Sequence, residues 1–508
     1  MRKLYLVGLT LSAFFMLAGA GTAVNAGVET YTVAFNQSGL PANLDKMVAA
    51  AGGTITVRVP EVGGVSVESA NPNFVADMSA NNTVRAVDVA AIASVGPTSG
   101  PEAFDTQITD ANNNGGTASP TGSDTQVMPD PLGYEQWDKK KLNATTTGSY
   151  AVQPGRKDVR VFVIDTGADQ FHPDVAPNLS PQEPLGESKS FVPSEPSIQD
   201  FNGHGTWTIS AVGAPINGIG ISGVAPGVTL VAGKVLAGSG SGEFIFTSQA
   251  LVYAGLKKFD IVSASLGGFI NKAGNADHAD YILLQRATQF ARSNGVLPLA
   301  SAGNNGFNLN DGDFFRSFIT APAEVAGWVT VSATGYPDDK SFYSNYGGAI
   351  DVSAPGGSTR NYTGVPGSAT CPHGSLCRLI GAWSSTASRP PSDPTEVCTG
   401  PGGTPPCALY GYVQGTSMAA PNAAGVAALI ISQYGDFSPR NGNKPHMSPT
   451  SVESILQITA NNQPCPEPNT VVQGPGFLFP TATCHGGAGQ NSFFGKGIVD
   501  ALKAVTFK

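Results

Sequence analysis

Apolar runs and helical stretches alternate along most of this chain. From about residue 133 onward, residues 159–164, 229–235, 261–266, 296–302 and 329–333 are short apolar runs of the kind that form strands buried on both faces. Stretches of helical pattern intervene at 206–212, 247–258 and 281–294, and another follows at 418–432. Strands alternating with helices predict a mostly parallel sheet covered on both faces, an α/β three-layer domain with right-handed connections. In such a sheet a ligand site forms at the carboxyl ends of the strands.

The first hundred residues are patterned differently. Segments 31–35, 54–59, 64–68 and 83–89 have strand composition, with helical stretches at 44–51 and 74–78, which predicts a small α+β unit. Residues 95–132 are rich in Ser, Thr, Gly, Pro, Asn and Asp and have almost no apolar period, so they read as a linker. At the start, Arg2 and Lys3 precede a mostly apolar stretch and Val24-Asn25-Ala26 offers small residues for cleavage, the pattern of a secretory signal. The resulting division is a signal at 1–26, a folded unit at 27–93, a linker at 94–132 and a main domain at 133–508. No internal repeat is apparent.

Four short motifs fall where the predicted sheet would gather them. IDTG carries Asp165, NGHGT carries His204, SAGNNG carries Asn304 and GTSMAAP carries Ser417. Asp165 and Asn304 sit at strand ends, and His204 and Ser417 open helices. A serine hydroxyl is a poor nucleophile until a base takes its proton. An imidazole suits that role, and a buried carboxylate fixes its tautomer. A side-chain amide and the Ser417 backbone N–H, at a helix start, suit a developing oxyanion. This set is what acyl transfer through a serine requires. Taken singly, each residue is as well explained as a cap or a turn former; four together at one sheet edge are not.

Composition narrows the alternatives. Apolar residues make up 41% and charged residues 13% of the chain, so a large core is expected and disorder is not. A net charge of −9 disfavours nucleic acid or an anionic membrane as main partner. After the signal no apolar run is long enough for a membrane anchor. The six cysteines all lie between Cys371 and Cys484. In an exported chain they suggest disulfides, with neighbour pairing Cys371–Cys377, Cys398–Cys407 and Cys465–Cys484 preferred among the possible connectivities. The serine-esterase elbow G-x-S-x-G does not occur. GSGSG at 238–242 lacks the Lys-Ser/Thr of a phosphate loop. His172 reads as a turn residue, and His278, His373, His446 and His485 have no ligand-spaced partners.

Asp165, His204 and Ser417 in that order, with Asn304, resemble the subtilisin family of serine peptidases over roughly residues 136–505. The resemblance implies Asp165 orienting His204, His204 as base, Ser417 as nucleophile and Asn304 in the oxyanion hole. It implies substrate main chain pairing with Gly240, Ser241, Gly242 and Phe244 on one side and Ser265, Leu266, Gly267 and Gly268 on the other, with Ala302 and Gly303 in the pocket wall. Gly267 and Gly268 suggest a roomy first pocket for bulky apolar side chains. Residues 29–90 resemble the family's propeptide through GGTITVRVPEVGGVSVESANPNF, which implies an inhibitor and folding aid acting in cis, with a ferredoxin-like fold. The family also implies a structural calcium ion held by Asp174, Asn217 and the carbonyls of Pro215, Ile219 and Ile221. The implied protein is a secreted, monomeric endopeptidase made as a zymogen. Trp207, Ser210, Gln414, Ala420 and Asn422 depart from the usual family residues. An insert at about 359–408, with four of the cysteines, has no function that the sequence explains.

Overall fold

The computed structural model describes residues 27–96, 127–271, 278–309, 318–360, 377–388, 394–400, 404–437, 444–474 and 480–508. The predicted signal, most of the linker, Cys371 and His373 lie outside the described residues.

The amino-terminal unit runs β1 (Glu29–Phe35), α1 (Leu44–Ala50), β2 (Gly53–Val59), β3 (Gly64–Ser69), α2 (Phe74–Ser79) and β4 (Val84–Val89). Its four strands form an antiparallel sheet in the order β2-β3-β1-β4, the ferredoxin-like arrangement. Alternation makes this unit: Tyr31, Val33 and Phe35 point to one face and join Val65, Val67, Leu44, Val48, Phe74 and Met78 in a core of its own. A further strand, β5 (Ile92–Ser94), follows and leaves that sheet.

The main domain begins with two short helices, α3 (Trp137–Lys141) and α4 (Ser149–Val152). Then come β6 (Arg160–Asp165), β7 (Lys189–Ser190), α5 (His204–Gly213), β8 (Thr229–Lys234), β9 (Ser241–Glu243), α6 (Phe244–Lys257), β10 (Ile261–Ala264), β11 (Gly268–Asn271), α7 (His278–Ser293), β12 (Leu297–Ser301), β13 (Phe318–Ala321), β14 (Val329–Thr334) and β15 (Val352–Pro355). Seven strands form one parallel sheet in the order β15-β14-β12-β10-β6-β8-β7. Beyond it lie β16 (Leu379–Trp383), β17 (Thr395–Gly400), β18 (Thr404–Val413) and α8 (Thr416–Tyr434). Alternate residues of β6 serve two cores. Val161 and Val163 meet α5 and α8, while Phe162 and Ile164 meet α6 and α7. The fold is therefore three-layered, and each predicted strand sits within a residue or two of its expected bounds.

The amino-terminal sheet sits on α7. Asp280 of that helix accepts from the Thr32 hydroxyl at 2.9 Å and the Ala91 N–H at 2.8 Å, and Arg286 donates to the carbonyls of Phe35 and Val62. Glu243 accepts from the Ser66 hydroxyl at 2.8 Å. The insert forms an antiparallel sheet, β16-β18-β17, with Cys398 bonded to Cys407. Cys465 is bonded to Cys484, and Cys377 is also in a disulfide. No helix among the described residues is long and apolar enough to cross a membrane.

Candidate active site

β6 ends on Asp165 at the carboxyl edge of the sheet. The buried carboxylate accepts from the Thr166 N–H at 2.7 Å and the Thr208 hydroxyl at 3.2 Å. His204 Nδ1 lies 2.8 and 3.0 Å from its two oxygens. That contact places the proton on Nδ1 and leaves Nε2 as the acceptor. Nε2 is buried and has no hydrogen-bond partner among the described residues. An imidazole so arranged can accept a proton at Nε2.

Local chemistry explains why His204 stands there. Asp200 sits at the amino end of α5, where helix N–H groups lack intrahelical partners. Its carboxylate accepts from the N–H groups of Gly203 and Thr206 and from the hydroxyls of Thr166 and Thr206. The glycines of NGHGT are steric necessities. Gly203 has φ of +102°, and a Cβ there would lie 2.3 Å from the Trp383 ring. A Cβ on Gly205 would lie 2.2 Å from the Gly167 carbonyl, so the helix could not approach the Asp165 turn. Lys234, fully buried on β8, braces the same turn by donating to the Thr166 carbonyl at 2.8 Å and the Gln199 carbonyl at 3.1 Å, with Glu195 2.8 Å away.

Ser417 is the second residue of α8, so its N–H has no carbonyl to reach within the helix. Pro421, four residues on, has no N–H to donate to the Ser417 carbonyl. The Ser265 hydroxyl takes that place at 2.7 Å, and the Ser417 hydroxyl faces the Ser265 carbonyl at 3.4 Å. Proline inside the helix thus frees an acceptor, and Ser265 uses it to fix α8 beside the end of β10. Trp207 in the first turn of α5 and Met418 in the first turn of α8 belong to one apolar cluster, which draws these two helix ends together.

Asn304 follows β12. Its Oδ1 accepts from both the N–H and the hydroxyl of Thr416 at 2.8 Å, which directs Nδ2 away from that helix. Asn304, Ser417, Ser265, Leu266, Gly267, Gly268 and Gly303 line one cavity of about 330 Å³. Ala302 does not line it. It lies fully buried behind the wall, with its N–H on Val331 O and its carbonyl on Asn345, because alternation along the strand end turns Ser301 and Gly303 to the cavity instead.

The cleft strands are occupied by the chain itself. β5 pairs antiparallel with β9, Ala93 opposite Gly242 and Ser94 opposite Ser241. On the other side Ser94 and Gly267 exchange two hydrogen bonds of 2.9 Å. The Val95 N–H donates to Gly240 O and the Phe244 N–H to Ala91 O. The sequence reading placed main-chain pairing at these residues but ended the last amino-terminal strand at 89 and missed β5. Its only local trace was Ile92-Ala93-Ser94-Val95, apolar at three of four positions directly ahead of the linker and too short to mark a strand by itself.

The loop expected to hold calcium is closed by protein donors. Asp174 is fully buried, and burial pushes its carboxyl up to about 6. Oδ1 accepts from Asn217 Nδ2 at 3.1 Å, and Oδ2 accepts from the Ile221 N–H at 2.9 Å and the Tyr410 hydroxyl at 2.7 Å. Asn217 Oδ1 is held by the Ile219 N–H at 2.8 Å, so its nitrogen faces Asp174. A cation needs converging oxygens, whereas here an amide, a peptide N–H and a hydroxyl point at the carboxylate. The donor set does not fit calcium, which departs from the oxygen shell expected of Asp174, Asn217, Pro215, Ile219 and Ile221. Tyr410 comes from β18, just past the expected end of the insert, and no pattern in the sequence tied it to Asp174. His172 acts as predicted in its turn: Nδ1 accepts from the Asp174 N–H and Nε2 meets Leu409 O, while burial lowers it to about 4.

A three-layer sheet with a carboxylate–imidazole pair, a helix-opening serine and an asparagine amide gathered at its carboxyl edge has the architecture of the subtilisin-like peptidases. Residues 156–497 match the Subtilase family, Peptidase_S8, and the chain belongs to that family. It is 33% identical over 280 residues to Subtilisin Savinase of Lederbergia lenta, a match covering 55% of this chain and 78% of that protein. It is also 33% identical to M-protease of Shouchella clausii (strain KSM-K16) over 55% of this chain, and spans 56% of that relative's length. In fold it is similar to the epidermin leader peptide processing serine protease (EpiP) of Staphylococcus aureus, at 20% identity and a TM-score of 0.67 over 94% of this chain and 98% of that one.

Proposed function

We propose that this protein is a secreted serine endopeptidase that works through an acyl-enzyme on Ser417. One observation carries the reading: a buried imidazole tied to Asp165 through Nδ1, with Nε2 left without a partner, at the edge of a cleft that holds extended backbone. In the reaction the Ser417 oxygen attacks the substrate carbonyl carbon while His204 Nε2 takes the hydroxyl proton. Asp165 stabilises the imidazolium without accepting that proton. Asn304 Nδ2 and the Ser417 N–H donate to the developing oxyanion. Collapse breaks the C–N bond, and His204 gives its proton to the departing amine. Water then repeats the cycle on the ester.

Substrate lies antiparallel between residues 240–244 and 265–268, the mode of strand addition. Its side chain next to the scissile bond enters the cavity beside Asn304, and a bulky apolar group is preferred there. The unit at 27–93 acts as a cis inhibitor and folding aid, so the chain is a zymogen, and the mature enzyme is a monomer. Occupation of the cleft by β5 supports this, as does the slow folding expected of a parallel sheet with many non-local contacts.

The test is labelling of the folded, processed protein by a fluorophosphonate. Uptake on Ser417, with cleavage of casein and no comparable hydrolysis of short nitrophenyl esters, is expected. A folded protein with an open cleft whose Ser417 takes up no probe would overturn the reading. Faster cleavage of a Lys-only peptide library than of a Phe/Leu library would overturn the pocket preference alone.

A further inference from the structure

A lysine is almost never fully buried, because its charge must leave water. Lys139, in α3, is buried all the same. Beside it, and equally buried, lie Asp138 of the same helix and Asn422, in the second turn of α8. Lys139 Nζ is 2.6 Å from Asp138 Oδ2 and 2.7 Å from Asn422 Oδ1. Asn422 Nδ2 donates to Pro355 O at 3.1 Å and to the same Asp138 Oδ2 at 3.3 Å. Asp138 Oδ1 is buried without a hydrogen-bond partner among the described residues. Asn422 is one of the positions where the chain departs from the usual family residues, and the peptidase chemistry uses none of the three side chains.

As an ion pair alone the cluster is a poor source of stability. Two charges taken out of water gain little net, and here one carboxylate oxygen is left without a donor. As a reacting set it is complete. An amine attacks an amide when it lies near the amide carbon, has lost its extra proton, and the departing nitrogen can gain one. Nζ already touches the carbonyl oxygen, one bond away from Cγ. Asp138 Oδ2 contacts both nitrogens, so one carboxylate can take a proton from the amine and give one to the amide nitrogen. Pro355 O holds Nδ2 and fixes which way the amide faces. Burial keeps out the water that would compete.

We infer that Lys139 and Asn422 become joined by an isopeptide bond, with Asp138 as the proton carrier. Lys139 first gives a proton to Asp138. Its neutral Nζ then attacks Asn422 Cγ, forming the Nζ–Cγ bond and moving an electron pair of the carbonyl onto Oδ1. Asp138 passes its proton to Nδ2 and takes one from Nζ. The carbonyl re-forms, the Cγ–Nδ2 bond breaks and ammonia leaves. The site ends as a secondary amide beside a protonated carboxyl, so protons and charge balance and both buried charges are gone. The bond ties α3 to the helix that carries Ser417, across 283 positions of the chain. It needs no co-reactant and does not depend on the serine-peptidase reading.

The experiment is peptide mapping by mass spectrometry of the folded full-length chain, reduced, denatured and digested with trypsin. It is run on the wild type and on Ser417→Ala, so that self-processing does not confuse the products. Both are expected to give one branched species in which the peptide carrying Lys139 is joined to the peptide carrying Asn422, at the sum of their masses less one ammonia. Lys139→Arg and Asp138→Asn are expected to give the two peptides separately, each at its full mass. The unsubstituted site decides without these variants: separate peptides with Lys139 and Asn422 unmodified, from chains shown to be folded by circular dichroism, overturn the inference. A cross-link as complete in folded Asp138→Asn as in the wild type overturns the part given to Asp138.

Discussion

Asp165 and Asp174 lie nine positions apart, both buried and both ringed by hydrogen-bond donors, yet they are built for opposite ends. Asp165 is met by a peptide N–H, a threonine hydroxyl and the His204 ring, and the ring carries its influence outward to a nitrogen without a partner. Asp174 is met by an amide, a peptide N–H and the Tyr410 hydroxyl, and among the described residues these donors satisfy both of its oxygens. A buried carboxylate surrounded by donors is structural when its last partner is a tyrosine or an amide. It becomes chemical when that partner can relay a proton.

The contrast can be broken most severely at the active site. Ser417→Ala should lower peptide hydrolysis on the order of 10⁶-fold, and Asp165→Asn about 10⁴-fold, with thermal unfolding little changed. Steady-state kinetics beside calorimetry checks both; a small activity loss in either would remove that residue from its assigned role. On the proposed mechanism Asn304→Leu should cost roughly 10²–10³ in kcat while KM stays nearly constant, because its amide would act on charge that exists only in the transition state.

At Asp174 the expectation reverses. Tyr410→Phe should leave kcat/KM as it was and lower stability by about 1–2 kcal/mol, the penalty for a buried acceptor deprived of a donor. Chelation with EGTA should leave the unfolding temperature of the wild type unchanged as far as this loop is concerned. Stoichiometric calcium binding that vanishes in Asp174→Asn, read by titration calorimetry, would show that the donors seen here give way to a cation.

A third buried carboxylate sharpens the comparison through an effect seen only as pH changes. Asp260 accepts from the Arg160 N–H, and burial pushes it up to about 7. Because the folded value lies above the unfolded one, the group's contribution to stability is complete below about pH 4 and is lost as pH rises toward 7. Asp260→Asn removes this dependence. The variant should gain on the wild type by on the order of 1–3 kcal/mol between pH 4 and pH 8, seen as diverging unfolding temperatures.

Much of this was legible in the chain. The buried strands announce themselves because a sheet covered on both faces needs continuous apolar runs, as in Val161–Ile164. The four motifs were readable because glycines and small residues mark the turns that carry them. What escaped the reading depends on pairs far apart in sequence. Tyr410 reaches Asp174 across 236 positions, and β5 reaches β9 across nearly 150. Neither has a local signature, since one hydroxyl or one short apolar run looks like many others. Ala302 was misplaced for a smaller reason: a one-residue difference in phase along a strand end turns a side chain from cavity to core.

Trp207 gives the insert a further meaning. Its ring is wholly buried, its Nε1 donates to Gly411 O at 3.1 Å, and a Cβ on Gly381 would lie 2.4 Å from it. The helix that carries His204 is thereby keyed into the β16-β18-β17 sheet. Trimming that sheet away would uncover an indole one helical turn past His204, so the helix and the sheet hold their shape only as a matched pair.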